Sequence, residues 1–135
     1  MVEQITPEQS LQRWYIDLDW YAQRNRSMVE VARRALCPVC ASKLFGSGHL
    51  VELKEILDAI QECCSSRPEF IYEKQPVMES IFRIFLANGN RPLTIQELGQ
   101  KLSMARKNSF YLNSAEFLFR LLKDDELYGF RCSSN

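Results

Sequence analysis

The sequence predicts a mainly α-helical protein with minimal β structure. Helix-start signals recur along the chain, in which a capping residue is followed three positions later by Glu or Gln. The segments behind these starts carry apolar residues at the three-to-four-residue spacing of a helix that buries one face. The signals are found at Thr6 and Gln9, Ser27 and Glu30, Thr94 and Glu97, and Asn113 and Glu116.

The composition is that of a chain that can bury a core but has no strong electrostatic field. Of the 135 residues, 46% are hydrophobic, which is ample for one compact domain or two small ones. Seventeen basic and seventeen acidic residues cancel, so the chain as a whole does not attract nucleic acid, an anionic substrate or a membrane surface. Binding of such a partner would depend on a local group of residues.

Targeting signals and a membrane segment are not evident in the sequence. It does not begin with a charged and then apolar leader, and no apolar run reaches the roughly twenty residues that span a bilayer. We therefore expect a cytoplasmic protein. Five cysteines, an odd number, then indicate reduced thiols or metal ligands rather than a disulfide framework.

The first predicted helix covers residues 7–25. Thr6 is the expected N-cap, and Pro7 stands at the first helical position, where proline is favoured. Alternation of apolar and polar residues around Ile16 would also suit a strand, but the start signal favours a helix. Four large rings in this helix would form either core packing or a contact surface. They are Trp14, Tyr15, Trp20 and Tyr21.

Two further helices are predicted before the middle of the chain. One begins after Ser27 and stops near Cys37, because Pro38 disfavours helical geometry for the residue before it. The other covers residues 49–65 and follows a glycine-containing loop. Its inward stripe consists of Leu50, Leu53, Ile56, Leu57 and Ile60.

A linker at residues 69–75 separates two predicted units, a helical unit at 1–75 with a cysteine cluster and a second unit at 76–135. The second unit opens with a helix from Pro76 that ends at Asn88-Gly89, a pair suited to a left-handed helix end.

The remainder of the second unit predicts two more helices and a strand. A short extended piece at residues 91–93 leads into a helix capped by Thr94. A connector at 103–112 leads to the last helix, which begins after Asn113. A strand-like segment at 127–132 follows. The inward residues of the two helices are Ile95, Leu98 and Leu102, and Ala115, Leu118, Phe119 and Leu122.

This order of helix, short strand, helix, helix and strand resembles the winged helix-turn-helix superfamily over roughly residues 76–132. The closest likeness is the segment RPLTIQELGQKL, residues 91–102. The resemblance implies a small DNA-binding or transcription-associated protein without catalytic activity.

If DNA is the partner, the binding residues would lie around the last predicted helix. The connector contains side chains with donors for phosphate oxygens and base edges, and the helix itself adds cations for the backbone. The candidate residues are Arg106, Lys107, Asn108, Arg120 and Lys123.

A protein-protein interaction module is the alternative function. Phe117 and Leu121 would lie on the outer face of the last helix, where a helix that reads a DNA groove needs polar and basic side chains. Together with the aromatic first helix they would form a docking patch. Self-association into a homodimer stays open.

The cysteines predict a metal site with Cys37, Cys40, Cys63 and Cys64 as ligands. Cys37 and Cys40 have the two-residue spacing of a zinc knuckle. His49 is excluded as a shared ligand, because one helix would separate it from Cys63 by roughly 21 Å. Adjacent helical residues point about 100° apart, so Cys63 and Cys64 converge only where the helix unwinds. Structural zinc, buried reduced thiols and a redox pair all remain open.

Catalysis is not expected from this sequence. The single histidine, His49, stands at a predicted helix start, where the helix dipole disfavours its charged form. No serine or cysteine has a recognisable activating partner in the sequence, and no glycine-rich phosphate loop is present.

Overall fold

The computed structural model describes residues 5–106 and 114–133. The fold is mainly helical, with 57% helix and 8% strand, which confirms the predicted class. In chain order the elements are α1 (Pro7–Leu11), β1 (Arg13–Ile16), α2 (Leu18–Gln23), α3 (Met28–Arg33), α4 (Pro38–Phe45), α5 (Leu53–Glu62), a 3-10 helix (Cys64–Ser66), α6 (Val77–Ala87), β2 (Leu93–Thr94), α7 (Ile95–Ala105), α8 (Ala115–Lys123) and β3 (Phe130–Ser133). None of the described helices is long and apolar enough to cross a membrane.

The prediction of one helix over residues 7–25 is wrong. Thr6 does form the predicted capping box, but α1 ends at Leu11 and Gln12 takes an extended conformation. Strand β1 follows, with Trp14 and Ile16 buried on one face. The chain returns to helix only at α2. The alternation of apolar and polar residues therefore indicated the correct structure for this segment, a strand. Long-range strand pairing outweighs the local helix-start signal at Thr6.

The sheet is antiparallel, with strand order β2-β1-β3. Its central strand β1 comes from the first predicted unit and both outer strands come from the second, so the sheet joins residues on either side of the predicted boundary. Trp14 lies opposite Leu93 on one side and Cys132 on the other.

Asn90 extends the sheet beyond the short strand β2. It adopts a left-handed conformation with φ 60°, directly after Gly89 with φ 73°, so the predicted left-handed helix end is confirmed. Its side-chain oxygen accepts the N–H of Ile16 at 2.8 Å, and its side-chain nitrogen donates to the Ile16 carbonyl at 2.9 Å. One amide side chain thereby satisfies both backbone groups of a buried strand residue.

Helix α6 lies at the centre of the core. Six of its eleven residues are buried. Phe85 packs against Phe130 of β3 with ring centroids 5.7 Å apart. On the same buried face of the sheet, Trp14 meets Phe119 of α8 edge to face at 6.1 Å. These contacts pack α6 and α8 against the one buried face of the three-stranded sheet.

The helices around the cysteines differ from their predicted bounds. Cys37 is extended as expected before a proline, but Pro38 itself begins helix α4, which the sequence analysis missed. Helix α5 is shorter than the predicted 49–65 and ends where Cys63 leaves helical geometry, with φ −137° and ψ −63°. The 3-10 helix that follows is the unwinding that convergence of Cys63 and Cys64 requires.

The second-unit helices follow their predicted starts closely. Thr94 forms the predicted capping box with Glu97 at the start of α7. Helix α7 extends to Ala105 and so takes up part of the predicted connector. The N-cap of α8 is Ser114, whose hydroxyl accepts the Phe117 N–H at 3.3 Å, while the predicted cap Asn113 lies outside the described residues.

Removing the Thr94 cap should destabilise the fold measurably. Thr94→Ala leaves the Glu97 N–H without its acceptor at the start of a helix that buries Ile95, Leu98 and Leu102. We expect a loss of about 1 kcal/mol in the free energy of unfolding, measured by urea titration. Thr6→Ala is the matched control, because α1 has a capping box but buries no residue. Equal losses in both variants would contradict the prediction.

Candidate metal centre

Three cysteine sulfurs meet in one place. The Sγ atoms of Cys37, Cys40 and Cys63 all lie within 4.8 Å of one another. The sulfurs of Cys37 and Cys63 are 3.9 Å apart. All the cysteines in the described part of the chain are free thiols. The spacing is close enough for the three to bind one metal ion.

Two local structures bring these sulfurs together. Pro38 begins α4, so Cys37 takes the N-cap position and Cys40 lies three residues into the first turn. Cys63 is the C-cap of α5. Packing of α4 and α5 against each other therefore places the start of one helix beside the end of the other.

Cys64 is placed differently from the other predicted ligands. Its sulfur accepts the backbone N–H of Cys37 at 3.1 Å, and its side chain is buried. It is not one of the three mutually close sulfurs. The structure thus brings three of the four predicted ligands together and puts the fourth against the backbone of the first.

The thiols differ in how easily they lose a proton. The backbone amide of Cys40 lowers the pKa of Cys37 to about 6, and the neighbouring thiols act in the same direction. Burial raises the pKa of Cys40 to about 12 and also raises the pKa of Cys64. Of these three thiols, Cys37 therefore loses its proton most easily, and the deprotonated form is the one that binds a metal.

Arg67 supplies positive charge beside this cluster. Hydrogen bonding to Cys63, with added attraction from Cys37, raises the pKa of the Arg67 guanidinium. Its backbone N–H also donates to the Cys64 carbonyl at 3.1 Å. A cation in this position stabilises negative charge on the sulfurs, as expected beside a thiolate metal site.

His49 belongs to a separate, exposed network that the sequence analysis missed. Its Nδ1 lies against the Ser47 hydroxyl and its Nε2 is 3.1 Å from Glu55 Oε1. The other Glu55 oxygen accepts the Glu52 N–H at 2.8 Å. The backbone bond at Glu52, and then His49, lower the Glu55 pKa. The network caps the start of α5, and the Glu52-to-Glu55 spacing was its only signal in the sequence.

Arg106 is a structural residue rather than an exposed phosphate contact. Its side chain is only 4% exposed and donates to the carbonyls of Gln75 and Glu73 and to the Ser80 hydroxyl. This corrects its assignment as a nucleic-acid contact, because the guanidinium faces the linker and α6. The predicted Lys107 and Asn108 lie outside the described residues.

Two predicted cations on α8 are exposed. Arg120 lies beside Leu121 at the edge of an apolar groove, and Lys123 Nζ is 5.9 Å from the centre of the Phe119 ring. Asp124 follows directly as the exposed C-cap of the helix. The charges on this part of the surface are mixed.

The predicted aromatic docking surface is mostly core. Trp14, Trp20 and Tyr21 are all at most 5% exposed. Phe117 and Leu121 are half-buried and pack against the core. Three of the four rings near the start of the chain therefore serve packing, which was one of the two interpretations left open.

Comparisons with protein-family models, with curated proteins and with solved structures found no match.

Replacing Arg106 should cost far more stability than an exposed arginine does. Arg106→Ala leaves the Gln75 carbonyl, the Glu73 carbonyl and the Ser80 hydroxyl without their charged donor. We expect a loss of about 3 kcal/mol in the free energy of unfolding, measured by chemical denaturation.

Arg91→Ala is the control for this prediction, since Arg91 is exposed and should change stability by no more than about 0.5 kcal/mol. A similar small effect in Arg106→Ala would show that the buried network does not hold the linker in place.

Proposed function

We propose that this protein is a non-catalytic helical module built around a structural zinc ion, with Cys37, Cys40, Cys63 and Cys64 as ligands. This proposal rests on the distance between the sulfur atoms of Cys37 and Cys63. Four sulfurs at about 2.3 Å from zinc in a tetrahedron lie about 3.8 Å from one another. The observed 3.9 Å between the two sulfurs matches that edge.

Cys64 is the best fourth ligand among the described residues. It directly follows Cys63. Because the helix breaks at Cys63, the two side chains are not held at the relative orientation that a regular α-helix imposes on adjacent residues. Its sulfur accepts the backbone N–H of Cys37 and so lies next to the first ligand, and metal binding would replace this hydrogen bond with a bond to the ion. A change of its side-chain rotamer would complete the set.

A four-thiolate site implies a structural role. Four protein ligands fill the tetrahedral positions of zinc and leave none for water or substrate, whereas catalytic sites keep one position open. The ion would tie the end of α5 to the start of α4. Both are short helices, so the bond would stabilise a part of the fold that has few residues to bury.

Zinc content tests the proposal. Protein purified without added metal should contain about one zinc per chain, because binding energy and folding energy are linked in such sites. Cys37→Ser and Cys63→Ser should each lose the metal and lower the melting temperature. Cys132→Ser is the matched control, since this exposed cysteine lies in β3 and should keep both metal and stability.

Two outcomes would contradict a zinc site. Less than about 0.3 zinc per chain, with every thiol titrating after denaturation, would favour buried reduced cysteines. Loss of metal in Cys132→Ser as well would show adventitious binding.

We propose nucleic-acid association as a second function, supported by the winged-helix-like order of α6, β2, α7, α8 and β3. The contacts to phosphate would come from Arg120 and Lys123, which are exposed cations three residues apart on α8. Neighbouring Asp124 opposes a phosphate there, so the expected binding is weak and strongly dependent on salt.

A salt titration of duplex DNA binding tests this second function. The double variant Arg120→Ala with Lys123→Ala should lose two phosphate contacts and flatten the logarithmic salt slope by about two units. Lys43→Ala with Lys74→Ala removes two exposed cations outside α8 and is the control. An unchanged slope in the α8 variant would exclude this helix as the contact.

A further inference from the structure

An apolar groove lies beside the end of α8, on a different part of the molecule from the cysteines. The volume of this open groove is about 680 Å³. Met78 of α6 and Leu121 of α8 contribute to its lining, together with Leu127 and Tyr128 from the loop before β3. A volume of this size lies within the range of ligand-binding sites in proteins.

Leu127 is the most unusual residue of the groove. Its side chain is 70% exposed, although it borders apolar neighbours. Its backbone is nevertheless held on both sides, since the Asp125 carboxylate accepts its N–H at 3.0 Å and Arg26 donates to its carbonyl at 3.0 Å. The fold therefore presents a leucine to the outside from a fixed backbone.

The rest of this loop is fixed as well. The Asp125 carboxylate also accepts the N–H groups of Tyr128 and Phe130, each at 3.0 Å. The Tyr21 hydroxyl donates to the Tyr128 carbonyl at 2.6 Å. Gly129 has φ +75°, and a Cβ there would lie 2.9 Å from the Trp20 ring, so the loop packs tightly on α2. A preformed surface loses little conformational entropy when a partner binds.

The rim of the groove is acidic. Asp124 and Glu126 are exposed and Arg120 is the nearby cation, while the carboxylate of Asp125 is occupied by the loop backbone. Without the engaged Asp125, two exposed carboxylates stand against one guanidinium. Such a rim attracts a cationic partner.

A second copy of the chain is a poor occupant. In a two-fold symmetric contact the same patch meets itself, so an interface centred on this groove would bring together two rims that each carry an excess of carboxylate. Like charges across an interface oppose association. The charge of the rim therefore selects a different protein.

We propose that this groove binds a basic amphipathic segment of a partner protein. Apolar side chains of the segment pack against Leu127, Leu121 and Met78, and Lys or Arg residues beside them pair with Asp124 and Glu126. This interaction requires neither the zinc site nor nucleic-acid association.

Selection from a displayed library of random 16-residue peptides tests the proposal on the full chain. Peptides retained by the protein, and not by its Leu127→Ser variant, should be enriched in apolar residues and in Lys or Arg. Enrichment of acidic peptides, or no enrichment at all, would overturn the proposal.

The affinity of the most enriched peptide, measured by fluorescence anisotropy, provides the second readout. Leu127→Ser should weaken binding at least about tenfold, the usual effect of removing a central apolar anchor. Asp124→Lys with Glu126→Lys should weaken it by a similar factor, and this loss should shrink at high salt.

Leu50→Ser is the matched control, since Leu50 is 89% exposed in another part of the chain and should leave the affinity unchanged. All variants should unfold at the same denaturant concentration as the parent, because exposed substitutions cost little stability. Equal weakening of peptide binding by Leu50→Ser would show that the peptide binds exposed apolar residues nonspecifically, and would overturn the proposal. A parent that dimerises in analytical ultracentrifugation, with a monomeric Leu127→Ser variant, would assign the groove to a second copy instead.

Discussion

Pairing of β1 with both β2 and β3 is the interaction on which the rest of this structure depends. Strand β1 (Arg13–Ile16) comes from the beginning of the chain and lies between two short strands that are distant from it in the sequence. It also carries Trp14 and Ile16 into the core, where Trp14 meets Phe119 of α8. Because β2 has only two residues, the Asn90 side chain completes the pairing along β1. Without β1, the outer strands would have no hydrogen-bonding partner within this sheet.

The cysteine cluster depends on a helix that ends early. An unbroken helix through Cys63 and Cys64 would direct their side chains about 100° apart. The chain leaves helical geometry at Cys63 and continues as a 3-10 helix, while Pro38 begins the opposing helix beside it. Arg67 adds positive charge next to the sulfurs. The result is three sulfurs within metal-binding distance and a fourth thiol bonded to the backbone of Cys37.

Charged residues near the end of the chain serve the fold more than their sequence positions indicate. Arg106 looked like part of an exposed basic connector, yet it is buried and bonded to the segment before α6 and to α6 itself. Asp125 follows the end of α8, and its carboxylate accepts three backbone N–H groups and fixes the loop that displays Leu127. In both cases the fold engages a charged side chain, which is then not available to a partner. Each side chain also stabilises the surface next to it.

What the sequence determined by itself is the local part of the structure. The boxes at Thr6 and Thr94 and the left-handed end after α6 all form as predicted, because each depends on residues within one or two helical turns. Proximity of Cys37 and Cys40 follows from their spacing for the same reason. Tertiary structure alone decided that residues 13–16 form a strand, that Cys63 approaches Cys37 and that Arg106 is buried. Those outcomes depend on partners distant in the sequence, whose contacts outweigh local preferences of a fraction of a kcal/mol to about 1 kcal/mol per residue.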